Sequence, residues 1–81
     1  MTARIVTFSL AAEAVSWLPR PVSSYVGADA IDAAVETLAG GEAALLVVDH
    51  SASPADSERL LQRARARLGA DMPPSLCFID P

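Results

Sequence analysis

The run from Ala43 to Val48 constrains this chain more than any other segment, because it is apolar at every position and lies between two stretches of helical periodicity. A half-solvated strand alternates apolar and polar residues. A strand apolar throughout is covered on both faces, and with helices on either side of it in sequence the structure that does this is a parallel sheet. The run is also far short of the roughly 20 apolar residues needed to cross a bilayer. Asp49 ends it.

The flanking segments supply the helices. Upstream, Asp29 stands where an N-cap belongs, Ile31, Ala34, Val35 and Leu38 recur on one helical face, and Gly40 with Gly41 marks the stop. Downstream, Ser53, Pro54 and Asp56 form a cap, an N1 proline and an acidic first turn, opening a helix that runs to about Leu68. Leu60, Leu61, Ala64 and Leu68 face inward on that helix, and Gly69 ends it. Toward the N-terminus, Arg4 to Leu10 reads as a buried strand. Ser9 caps a short helix whose Leu10, Ala14, Trp17 and Leu18 share a face, and Pro19 and Pro21 end it. Val22 to Val26 alternates, as an edge strand does, and Pro73 and Pro74 lead into a last strand from Ser75 to Asp80.

The order β-α-β-α-β-α-β defines one α/β domain over residues 1–81. Right-handed crossovers, with the polar second strand at an edge, give a four-stranded parallel sheet of order 2-1-3-4 with three helices, half of a flavodoxin-like arrangement. The second and third helices then share one face. The first and shortest helix is left to cover the other, in a chain that is 52% hydrophobic.

Composition removes several function classes. All six basic residues are arginine, and with no lysine the chain can form no Schiff base and no Walker-type phosphate loop. A net charge of −4 argues against nucleic acid and anionic membranes as partners. Cys77 is the single cysteine, so no internal disulfide forms, and no metal cluster or cofactor motif stands out. The stretch from Arg4 to Ala14 loosely imitates a secretory leader, but cleavage there would delete a central strand. The expected location is therefore cytoplasmic.

The segments Val26-Gly27-Ala28-Asp29-Ala30, Leu46-Val47-Val48-Asp49, Pro54, Leu60-Leu61-Gln62-Arg63-Ala64-Arg65 and Pro74-Ser75-Leu76-Cys77-Phe78-Ile79 together resemble the first four strands of the receiver domains of bacterial response regulators. That resemblance implies a truncated receiver-like fold in which Asp49 occupies the place of the phosphoacceptor. It also implies a degenerate site. Where receivers hold a divalent cation with an acidic pair after the first strand, this chain has Thr7-Phe8-Ser9-Leu10, and where they carry a switch hydroxyl after the fourth strand it has Asp80. The lysine and fifth strand of receivers are absent from the sequence.

Asp49, His50 and Asp80 fall at strand ends, where two carboxylates and a histidine suffice for a metal site or an acid–base pair; the plainer reading makes them polar caps of loops. Ser53 reads as a helix cap and not a nucleophile, and Cys77 as a small buried hydrophobe. Arg59, Arg63 and Arg67 recur every fourth residue, with Arg65 nearby, as a basic stripe on an acidic chain. Such a stripe either pairs with nearby acids or meets a partner. Trp17 either fills the thinly covered face or anchors an interface. Leu76 and Phe78, on the last strand, need cover that one short helix does not supply.

These features predict a non-catalytic, receiver-like regulatory or protein-interaction module, working as a homodimer or as a subunit of an assembly. The competing readings are a small phosphoacceptor or enzyme using Asp49, and a sensor binding a small ligand in the strand-end crevice. No glycine-rich loop follows the first strand to favour the last.

Overall fold

In the computed structural model, which describes residues 4–19, 21–41, 43–51 and 53–78, four strands form one parallel sheet. They are β1 (Arg4–Phe8), β2 (Val22–Tyr25), β3 (Ala43–Asp49) and β4 (Ser75–Phe78), in the order β2-β1-β3-β4. The helices α1 (Ala12–Ser16), α2 (Ile31–Ala39) and α3 (Pro54–Leu68) connect them in turn, with short 3₁₀ turns at Ala28–Ala30 and Gly69–Asp71. The architecture expected from the sequence is the one observed. The strands β1 and β3 take the centre, where Val6, Thr7 and Phe8 of one and Leu46, Val47 and Val48 of the other are buried on both faces of the sheet.

Register fixes which residues share a face. Val6 pairs with Leu46 and Phe8 with Val48, so these four point to one side, where Ile31, Ala34, Val35 and Leu38 of α2 and Leu60 and Ala64 of α3 close over them. All are buried. Each large aliphatic or aromatic side chain buried there contributes roughly 1.5–3 kcal/mol relative to its exposed state, which makes this face the main source of cohesion. Leu61, Leu68, Tyr25 and Met72 pack around its margin. Across the margin, the Tyr25 hydroxyl meets Thr37 Oγ1 at 2.5 Å, and the Thr37 hydroxyl lies 3.0 Å from the Ala33 carbonyl, which ties β2 to α2.

The opposite face carries Ile5, Thr7, Leu45, Val47 and Leu76. A right-handed connection from β1 to β2 places α1 on this side. Its cover is thin: α1 has five residues and none of them is buried. Leu10, just before the helix, is the buried residue of this segment, whereas Ala14 and Trp17 are exposed, contrary to the inward face expected for them.

Local chemistry explains the other departures. Ser9 does not cap α1, because its backbone turns into the left-handed region at φ 63° and the helix begins only after Ala11. Asp29 does not cap α2 directly, since the 3₁₀ turn at Ala28–Ala30 intervenes and Ala30 takes the capping position. Ser53 does precede Pro54 as the N-cap of α3. Its carbonyl accepts the Ser57 N–H at 2.9 Å, but its side chain makes no capping bond. Gly69 ends α3 at φ 54°, a backbone state in which a side chain is strained. Ile79 and Asp80, expected to extend the last strand, lie outside the described residues.

Candidate functional site

Helices leave the parallel neighbours β1 and β3 on opposite faces of the sheet, so the strand order reverses between them and a crevice opens beyond their C-terminal ends. Asp49 closes β3 at this point, His50 and Ser51 form the turn after it, and Ser9 follows β1. Asp49 and His50 are half-buried. Asp49 and Ser51 each engage a neighbouring group. The Ser9 N–H donates to the Tyr25 carbonyl at 2.9 Å, while its buried Oγ has no hydrogen-bond partner among the described residues. Asp80, the third member of the expected trio, lies outside the described residues. Among those described, no group of three histidine, cysteine or carboxylate side chains is arranged to hold a metal ion.

Two other buried hydroxyls have no partner among the described residues. Thr7 Oγ1 sits on the α1 side of the sheet, and Ser57 Oγ lies in the first turns of α3 against the opposite side. They occupy different faces and form no common cluster.

The basic stripe on α3 is divided. Arg63 pairs with Asp32, and Arg67 with Glu36 at 2.8 Å, so two of its three members bind the outer face of α2. The fourfold spacing that suggested a partner contact therefore matches the acidic spacing of the neighbouring helix. Arg59 is exposed, and no ion pair joins it to the described residues.

The exposed apolar residues lie elsewhere. Trp17 is 82% exposed, immediately after α1, and borders a shallow depression with Ala11, Glu13 and Ala14. It does not fill the thin face. Leu76 is 52% exposed on β4, an edge strand beyond which no described element lies. Phe78 pairs in register with Asp49. Cys77 corrects the expectation of a buried small hydrophobe: it is exposed, because β4 is the outermost strand and the buried part of α3 stops at β3 and β1. Val26, also exposed, was not singled out from the sequence. An alternating strand predicts which face a residue takes but not whether anything lies over that face.

No helix among the described residues is long and apolar enough to cross a membrane. Comparison with family models, with curated proteins and with solved structures gives no match.

Proposed function

We propose that this chain is a non-catalytic, receiver-like regulatory or interaction module that works as a homodimer or as a subunit of a larger assembly. The observation that carries the reading is the asymmetry of the sheet. One face is closed by α2 and α3, while on the other the five-residue α1 and Leu10 accompany a buried centre at Thr7 and Val47 but leave Trp17 and, toward the β4 edge, Leu76 more than half exposed. Exposed tryptophan and leucine on a domain this small are better accounted for by a contact than by the monomer's own stability. The receiver likeness rests on the strand order and on the place of Asp49 at the end of β3. Light scattering of the purified chain from micromolar to hundreds of micromolar is the test. A dimer, or a stable complex recovered from the native source, is expected; a monomer at every concentration with no recovered partner overturns the reading.

The phosphoacceptor alternative keeps one specific support, the position of Asp49 at the sheet's switch point. Incubation with magnesium and either acetyl phosphate or beryllofluoride, followed by mass or chemical-shift measurement, separates the two. A change abolished by Asp49→Asn favours the alternative, and an unchanged spectrum favours the interaction module.

A further inference from the structure

The hydrogen-bond parity of β4 identifies its outer edge as a strip that a second copy of the chain can fill. The Leu46 N–H donates to the Pro74 carbonyl at 2.9 Å, and Leu46 stands opposite Ser75 in the register. In a parallel ladder the residue at such a position turns its own N–H and C=O away from the neighbouring strand. Leu76 and Phe78 therefore direct their backbone groups at β3, while Ser75 and Cys77 direct theirs outward over the open edge. Both residues are exposed.

We infer that two copies of this chain join β4 to β4 in antiparallel fashion about a two-fold axis at Leu76, making one continuous sheet; this rests on the self-association reading above. In that register Ser75 of each copy faces Cys77 of the other, and each pair exchanges both of its backbone hydrogen bonds. Every outward group of those two residues is then satisfied. Leu76 meets its own counterpart in a non-hydrogen-bonded pair, the closer kind, at about 4.5 Å between Cα atoms. The half-exposed leucine thus lies at the centre of the contact.

Charge selects this edge over the opposite one. The sheet's other edge, β2, turns Val22 and Ser24 outward by the same rule, since the Ile5 N–H bonds the Pro21 carbonyl at 3.0 Å. A two-fold pairing there centres on Ser23, whose hydroxyl holds the Arg4 guanidinium at 2.7 Å. Two guanidinium groups would be brought together across the axis, which is unfavourable. The strand β4 is Ser-Leu-Cys-Phe and carries no charge, no proline and no bulge. On a chain of net charge −4, an uncharged strip is where two copies approach without carboxylates facing each other. The edge is short, four residues preceded by Pro73 and Pro74, which limits the contact to the two hydrogen-bonded pairs of Ser75 with Cys77.

The test is amide hydrogen exchange on the whole chain across a concentration series, with light scattering alongside. The amides of Ser75 and Cys77 are expected to slow as the dimer forms, while those of Leu76 and Phe78, already bonded to β3, stay unchanged. Leu76→Cys in a Cys77→Ser background is expected to form a disulfide-linked dimer under mild oxidation. The unaltered chain is not, because its two Cys77 residues lie two register positions apart, beyond the about 7 Å a disulfide spans. Leu76→Glu, at an exposed position that leaves the monomer folded, is expected to weaken association about tenfold or more by setting like charges on the axis. A dimer whose Ser75 and Cys77 amides ignore concentration overturns the β4 pairing and leaves self-association standing. A monomer throughout overturns both.

Discussion

Arg67 reaches from α3 to α2, where its two terminal nitrogens lie 2.8 and 3.4 Å from the two carboxylate oxygens of Glu36. One turn earlier Arg63 makes the matching contact with Asp32. The pairs run along the seam between the two helices that cover the buried face of the sheet, so the charges stand above a contact already made by apolar side chains beneath.

That placement limits what the pairs contribute. The Arg67 and Glu36 side chains are 54% and 64% exposed, and exposed ion pairs contribute about 0.2–1 kcal/mol. A double-mutant cycle of Arg67→Met and Glu36→Gln, read by urea unfolding, is expected to give a coupling within that range. It should shrink as salt is raised toward 1 M, where the screening length falls to about 3 Å. A coupling above 2 kcal/mol would mean that the seam is far less solvated than its exposure indicates.

The apolar layer below is where stability resides. Leu60 is fully buried between α3 and the sheet, and Leu60→Ala is expected to cost about 2–5 kcal/mol. For a domain of this size that approaches the whole stability, so the variant is expected to be partly unfolded at 25 °C by circular dichroism. Leu76→Ala, on the exposed strand edge, is expected to cost less than about 1 kcal/mol in the monomer. The contrast separates residues that hold the fold from residues that face outward.

Most of the fold was legible in the sequence, because the patterns that specify it are short in range. The apolar run Ala43–Val48 and the spacing of Ile31, Ala34, Val35 and Leu38 report burial directly, and the crossover rule then orders the strands. The site was less legible, since its features depend on what lies beyond a given strand or helix. Cys77 reads as core by composition but is exposed, and Arg63 and Arg67 read as a free stripe until α2 sets Asp32 and Glu36 beside them. The turn at Ser9 was hidden for another reason: a left-handed serine leaves no mark in composition, whereas a left-handed glycine does.

Thr7 offers a substitution that should raise stability. Its Oγ1 is buried on the α1 side of the sheet with no partner among the described residues, and it stands beside Val47 in the register. Thr7→Val keeps the shape, removes an unsatisfied hydroxyl and suits a central strand. Stabilisation of about 1 kcal/mol is expected from chemical denaturation. A loss of stability would show that the hydroxyl is satisfied in solution, for instance by a buried water.

Gly69 should resist substitution for a purely backbone reason. No atom lies within 4 Å of where a Cβ would sit, so space is not the constraint; its φ of 54° is. With ψ at −119° the residue lies outside the left-handed helical region that other residues sometimes adopt, and Gly69→Ala is expected to destabilise by about 1–3 kcal/mol. The change should appear in the denaturation midpoint with an unaltered slope, because neither the core nor the surface exposed on unfolding changes.

Trp17 gives a direct optical reading of the thin face. It is the chain's only tryptophan, and at 82% exposure its fluorescence in the monomer reports contact with water. Its emission is expected at long wavelength and open to quenching by acrylamide. Trp17→Ala is expected to change monomer stability by no more than about 0.5 kcal/mol, as at other surface sites. If the α1 face is covered in the assembled state, emission of the native chain shifts to shorter wavelength with concentration or on adding the partner, and quenching falls. The β4 pairing alone leaves this signal unchanged, because it is centred on Leu76. Fluorescence and exchange thus report on separate surfaces, the α1 face and the β4 edge: a shift without slowed β4 amides assigns the contact to the α1 side, and slowed amides without a shift assign it to the strand edge.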